Sequence, residues 1–394
     1  MRAVFWFSLM VIAYTYAGYP MIVYVLARLR PRPWLREPVE ASVSVIMAVH
    51  NGANLLREQI DHLASLDTSY VHEVIIVSDG SDDGTVEILG GVRDPRIRTI
   101  ILNEQGGKAA ALNHGIAAAS GEILLFVDIR PRVAPGALAE LMSNFADSAV
   151  GCVAGELVLN SEGHDAAASA VSGVYWKYEQ WIRNCEAAWD SPVGVYGGFY
   201  AVRRRLVTPF PPGIILDDMF QPLAILRQGY RSVLDRGACV TDTWPGKVTG
   251  EFQRKVRTLA GNFQLVSLAP WVLSPRNRVL FQLVSHKLMR LVVPYLFVAL
   301  LVSATCLGVN SPVWRMVAAV EWIFWVGALV ALRVRIPVVH RFAAAASALL
   351  VLNGAAVVGL YKFLFTAGPL WKIWSVGSPK ADVPISLEAK RERA

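Results

Sequence analysis

Residues 122–133 read EILLFVDIRPRV. The apolar run from Ile123 to Val127 stops abruptly at Asp128, and Arg130 follows two residues later. A short apolar run that ends in a carboxylate is a means of setting a metal or ribose ligand at the tip of a buried strand. A second carboxylate two places on often completes such a site, and here that place holds a positive charge. The alternative is an ordinary strand-end carboxylate in the turn that Pro131 imposes.

The flanking sequence repeats the pattern. VSVIMAV (43–49), EVIIVSD (73–79), RIRTIIL (96–102) and ILLFVD (123–128) are strand-like runs. Between them lie an amphipathic stretch reaching Leu66, a helix-like VEILGGV (86–92) and the alanine-rich KAAALNHGIAAAS (108–120). Strands alternating with helices predict βαβ units and a parallel sheet. Ligands of such sheets bind at the carboxyl ends of the strands, where Asp79 and Asp128 both fall. In GSDDGT (80–85), Asp82 or Asp83 is the better candidate to cap the next helix, which leaves Asp79 free to accept hydrogen bonds from a base or ribose.

Three further stretches carry chemistry. GGKAAALN (106–113) is a Gly-Gly turn opening a helix, with Lys108 in its first turn; it suits a phosphate but lacks the spacing of a P-loop. IILDDMFQPLAILRQGY (214–230) places Asp217 and Asp218 at a helix start, which favours a carboxylate kept ionised as a base. An N-cap pair is the simpler reading. EFQRKVRTLAGNFQ (251–264) carries Gln253, Arg254 and Arg257. The two arginines are three apart, on one helix face, and can clamp a pyrophosphate; a basic helix lying on anionic lipid is the rival.

The ends of the chain are of another character. The protein has 394 residues, 54% hydrophobic and 18% charged, with a formal charge of +7 and a mean hydropathy of +0.41. This is too apolar for an average soluble globule. The basic residues form no nucleic-acid-type patch. They gather beside apolar runs, in RLRPRPWLR (28–36) and RVRIPVVHR (333–341), as at the cytoplasmic edges of membrane spans. Residues 3–27 are long enough to cross a bilayer, as are 288–309, 313–332 and 342–361. The expected organisation is an N-terminal transmembrane anchor (1–30, N-terminus outside) and a cytoplasmic domain (41–265). An interfacial amphipathic segment (266–287), C-terminal transmembrane helices (288–376) and a polar tail (377–394) follow. Counting spans puts the tail outside, against the preference of Lys362, Lys372 and Lys380; a re-entrant or interfacial FLFTAGPLWKIW (363–374) restores it to the cytoplasm. Four scattered cysteines without CxxC spacing read as reduced thiols.

In this order the stretches resemble the membrane-integrated branch of glycosyltransferase family 2, related to cellulose, hyaluronan and poly-N-acetylglucosamine synthases. VSVIMAVHNG looks like the family's opening strand and nucleotide-binding turn, with Val49 at its end. VSDGSDDGT is similar to the second-strand motif that meets uracil through Asp79. GGKAAALNHG matches the GKxxALNxG helix start at Lys108, Ala111, Leu112, Asn113 and Gly115. VDIR stands where the family has DxD, and YGGFYAVRR (196–204) resembles the acceptor-side glycine turn. LDDMFQPLAILRQGY looks like the ED-containing stretch, which assigns the base to Asp218. QRKVRTLAG is similar to the QxxRW region, and SHKLMRLVVP (285–294) to the approach to the C-terminal spans.

The resemblance implies a GT-A type αβα sandwich with a mostly parallel sheet, plus flanking transmembrane helices. It implies an inverting transfer from a UDP-sugar to a lipid-linked or saccharide acceptor at the inner or plasma membrane. Asp218 is then the catalytic base. Val49, Asp79, Lys108, Asp128 and Arg130 meet the nucleotide sugar. Asp217, Gln253, Arg254 and Arg257 face the acceptor or diphosphate, and Asp128 binds a divalent cation, Mg2+ or Mn2+. Two departures bear on this: Arg130 replaces the second DxD carboxylate, and Thr258 replaces the tryptophan of QxxRW. Arg130 has three readings: fixed charge for the diphosphate, a partner of a surface carboxylate, or the mark of a disabled enzyme. A processive synthase, a non-catalytic subunit of a polysaccharide assembly and a nucleotidyltransferase are the rival functions.

Overall fold

The computed structural model describes residues 1–160, 166–243, 248–331 and 340–372; the basic loop 333–339 and the polar tail 377–394 lie outside them. Among the described residues eight strands form one sheet in the order β3-β2-β1-β4-β7-β6-β8-β5. They are β1 Val43–Val49, β2 Val71–Asp79, β3 Ile97–Leu102, β4 Ile123–Val127, β5 Arg132–Val133, β6 Val150–Asn160, β7 Phe199–Arg203 and β8 Arg231–Thr243. The block β3-β2-β1-β4 is parallel, β7 runs antiparallel between β4 and β6, and β6 and β8 are parallel again. The alternation read from the sequence therefore gives a GT-A-like α/β sheet. Its central strands are covered on both faces and so are almost continuously apolar.

Alternate residues of each strand enter two cores. Val43, Val45, Met47 and Val49 join one, with Leu56 and Leu63 of the helix Ala53–Ala64. Ile46 joins the other, with Ala111 and Leu112 of the helix Lys108–Ala118. A β-carbon on Gly115 would stand 2.6 Å from Ile46, so glycine lets that helix lie close on the sheet. Glu73 ties the far edge: it accepts from the Ser44 hydroxyl (2.7 Å) and from the Ser120 amide and hydroxyl (2.7 and 2.6 Å).

Among the described residues four helices are long and apolar enough to cross a membrane: Arg2–Leu29, Leu280–Gly308, Pro312–Ala331 and Ala346–Phe365. A buried ionic junction joins the first two to the α/β domain. Tyr19 donates to Glu186 (2.5 Å), and His286 lies between Glu186 (2.8 Å) and Glu179 (3.2 Å), which Arg290 and Lys287 also face. His286 sits in the π-helical stretch Leu283–Leu288, where the extra residue per turn re-aims its side chain.

The fourth helix makes contacts at both of its ends. Phe5 packs on Trp314, centroids 4.8 Å apart, which sets the bundle face remote from the domain. Pro312–Ala331 spans about 30 Å back towards the domain. Ser347 then donates to the Ala328 carbonyl (3.0 Å), while at the other end Phe363 stacks on Phe263 (5.9 Å) and Trp371 meets Gly107. The helix His340–Phe365 is thus long and apolar enough to cross a membrane and also packs its C-terminal end on the helix Val248–Leu268.

Candidate active site

The site lies at the carboxyl ends of β1, β2 and β4. The turn after β1 is fixed by its neighbours. His50 Nδ1 is 2.6 Å from the Asp79 carbonyl, and Asn51, at φ +50°, receives a hydrogen bond from the Asp82 amide (2.9 Å) and donates to its carboxylate (2.8 Å). Asp83 accepts from the Thr85 amide and hydroxyl (3.1 and 2.6 Å) and from the Ala53 amide (3.0 Å), so one carboxylate caps two helices. Val49 is buried at the end of β1, beside Gly52.

Asp79 is buried and takes the amides of Gly106 (2.7 Å) and Gly107 (2.9 Å) on its two oxygens. It thereby shapes the glycine turn that launches Lys108. Lys108 Nζ lies 3.0 Å from Asp128 Oδ1 and 3.1 Å from Asp217 Oδ2. Burial alone would lower the Lys108 pKa, but the two carboxylates override it and hold the ammonium charged.

Asp217 and Asp218 open the helix Asp217–Arg227 as its first two residues; the cap is Leu216, so the N-cap reading does not apply. The Gly197 turn abuts Asp218: a β-carbon there would stand 3.0 Å from Asp218 Cβ. Burial, then the charge of Asp217, pushes the Asp218 carboxyl up to about 7, while Lys108, Lys287 and Arg257 oppose the rise. The helix start by itself predicts a base kept ionised at neutral pH, because a helix N-terminus lowers a carboxyl pKa. Burial beside a second carboxylate outweighs that effect.

The structure brings Arg257 within electrostatic reach of Asp218. Gln253 and Arg254 stand exposed one turn earlier on the same helix, and Thr258, in place of tryptophan, donates back to the Arg254 carbonyl (3.1 Å). Arg130 pairs with Asp242 at the end of β8 (3.4 Å), a carboxylate that is buried, not on the surface.

Several residues of the site escape a reading of the sequence. Asp242 and Gln59 fix the turn 128–132. Tyr196 is half-buried: desolvation first, then the charges of Asp128 and Asp242, pushes its phenol up. Asn113, marked in the sequence only as part of a motif, pairs its amide with both backbone groups of Phe210 (2.9 and 2.8 Å) and so steadies the loop leading to Asp217. The strand-tip pattern VTDT (240–243) is the available signal for Asp242. Trp371 gives none. It closes a cavity of about 510 Å³ with Gln105, Gly106, Gly213, Gln264 and Phe363.

Among the described residues no three His, Cys, Asp or Glu side chains converge on a metal position. The carboxylate of Asp128, 40% exposed, is of the hard-oxygen type that suits a divalent cation.

The family model "Glycosyl transferase family 2" matches residues 44–208. An N-acetylglucosaminyltransferase of Bradyrhizobium elkanii is 34% identical over 126 residues, 30% of this chain and 68% of that protein. A putative polypeptide N-acetylgalactosaminyltransferase 13 of Drosophila melanogaster is 36% identical over 124 residues, 28% of this chain. The match spans 22% of that protein's length. The fold matches a mannosyltransferase of Pyrobaculum calidifontis, solved in complex with GDP-Man and Mn2+, with a TM-score of 0.67. The identity is 20%, over 92% of this chain and 99% of that one.

Proposed function

The chain belongs to glycosyltransferase family 2, and from that premise we propose that it moves a sugar from a UDP-sugar to a lipid-linked or growing saccharide acceptor. The product serves a cell-envelope or extracellular polysaccharide. The chain is a multi-pass protein of the inner or plasma membrane with its α/β domain in the cytoplasm. The observation that carries the reading is Asp218, with a pKa of about 7, set beside the Lys108 cluster at the strand ends.

The reaction follows from these residues. Asp218 takes the proton of the acceptor hydroxyl as its oxygen attacks the anomeric carbon. A carboxyl with a pKa near working pH is suited to that transfer. The bond from that carbon to the diphosphate oxygen breaks on the opposite face, so configuration inverts. Charge grows on the departing diphosphate, and Lys108, Arg130 and Arg257 are the cations on hand to meet it. Val49 and Asp79 border the base and ribose, and Asp217 keeps Lys108 in place. Gln253 and Arg254 extend the basic face of Arg257 towards acceptor and diphosphate. A divalent cation, Mg2+ or Mn2+, at Asp128 would add Lewis-acid neutralisation of the diphosphate. The manganese ion bound by the Pyrobaculum mannosyltransferase supports that reading.

The test is UDP release by detergent-purified protein over a panel of UDP-sugars, with GDP-mannose as a control donor. Release from one donor, lost in Asp218→Asn, is the expected result. Unchanged release in that variant would remove Asp218 as the base.

A further inference from the structure

Arg130 is fixed by more than its place in the sequence. In the turn after β4, Ile129 packs towards Gly52, whose added β-carbon would stand 2.5 Å from Ile129 Cδ1. Asp128 and Arg130 flank it, and the charges of both, with that of Lys108, act on the Tyr196 phenol. Buried Gln59 pins the backbone at both flanks, its Nε2 donating to the Asp128 carbonyl (3.1 Å) and the Pro131 carbonyl (3.2 Å). The guanidinium is then set by Asp242, Nη2 to Oδ2 3.4 Å. β5 aligns Arg132 with Thr241, so the turn just before β5 runs past the end of β8, where Asp242 lies.

The charges are ordered in consequence. An arginine two residues from Asp128 would be drawn to that carboxylate. Asp242, only 7% exposed, gives it a stronger and drier partner, and Asp128 is left to Lys108. The Arg130 side chain is still 46% exposed, and its charge and that of Lys108 reach the same phenol, Tyr196. A planar guanidinium held in this way suits bidentate contact with a phosphate.

We propose that Asp242 is a positioning residue of the donor site, holding Arg130 beside Asp128 so that a fixed guanidinium takes over part of the diphosphate charge that a second carboxylate and its metal would otherwise carry. This rests on the reading of the crevice as a sugar-nucleotide site. Nucleoside diphosphate binding then weakens without metal but is not lost.

The experiment is calorimetric titration of the full chain in detergent with UDP, GDP and uridine, in Mn2+ and in EDTA. Wild type is expected to keep UDP or GDP affinity in EDTA within about tenfold of its Mn2+ value. Arg130→Ala and Asp242→Asn should each weaken diphosphate binding in EDTA tenfold or more, with uridine unaffected. The double variant should be no weaker than the worse single one, and Asp242→Glu should recover most of the loss. Arg130→Ala is a partly exposed truncation and keeps the test open if Asp242→Asn does not fold. Affinity in EDTA unchanged by Arg130→Ala, or additive losses in the double variant, overturns the proposal. Wild-type binding that requires Mn2+ outright overturns it too, while leaving the sugar-nucleotide reading standing. No binding of either diphosphate under any condition removes that reading and this one together.

Discussion

The indole of Trp371 lies flat against Gly107: a β-carbon on that glycine would stand 2.9 Å from two ring atoms. Gly107 has φ +90° and immediately precedes Lys108. Two demands meet there, one steric and one conformational. Gly107→Ala is expected to cut UDP affinity more than tenfold. Adding Trp371→Ala should restore only part of it, since a backbone at φ +90° and ψ 159°, a region kept essentially by glycine, still costs about 1–3 kcal/mol with a side chain. Full restoration in the double variant, read by titration, would show that the clash alone matters.

The Asp218 value gives the pH dependence a direction. The base works deprotonated, so kcat/KM should rise through about pH 7 and level off above it. Asp218→Asn should lower kcat by a thousandfold or more and leave UDP binding within about threefold. Its pKa is raised on folding, so the ionised form is disfavoured in the folded chain. The same variant should therefore melt no lower than wild type at pH 8. A pH–rate profile and a melting curve decide both.

Glu73 has the opposite sign. Burial would raise its carboxyl, but hydrogen bonds from Ser120, Ser44 and Arg98 bring it from 4.5 down to about 2. The stability it contributes is present above pH 4.5 and lost as pH falls through about 2. A shift of this size corresponds to about 3 kcal/mol. Glu73→Gln should melt several degrees below wild type at pH 7, with the gap closing as the pH is lowered towards 3.

Removing one member of the buried junction strands the others. His286→Ala leaves Glu186 and Glu179 each short of a partner and should cost about 3–5 kcal/mol. Thermal unfolding in detergent measures it; a loss below about 1 kcal/mol would show that apolar packing alone joins the domain to the bundle.

The contact of Trp371 with Gly107 makes a labelling prediction. In a cysteine-free background, a thiol introduced by Lys372→Cys should react with a membrane-impermeant maleimide from the same side as one introduced by Glu58→Cys. Labelling from opposite sides would contradict that contact.

How much of this is legible in the sequence depends on range. Asp79, Lys108, Asp128, Asp217 and Asp218 stand where an apolar run ends or a helix starts, so local pattern exposes them. Asp242 does not stand out in this way. It lies near the end of a strand interrupted by Asp235, Arg236 and Gly237, and its partner Arg130 comes from the turn before β5, two residues long. The Asp218 pKa is hidden from the sequence because burial is a property of packing, which the helix start does not encode. The fourth helix counts as a crossing by composition; its contacts with Val248–Leu268 are non-local, and hydropathy does not register them.

One wall of the 510 Å³ cavity comes from residues 105–106 and another from residues 363–372. The ribosome makes these some 260 positions apart, with the candidate spans Leu280–Gly308 and Pro312–Ala331 in between. The α/β sheet can form as soon as β8 has emerged, but this recess cannot close until the helix bundle is in place and the segment after the last helix has docked. Assembly of the bundle thus acts as a checkpoint on completion of the glycine-turn side of the crevice, and a chain stalled before residue 363 would carry a folded sheet with that side open to solvent.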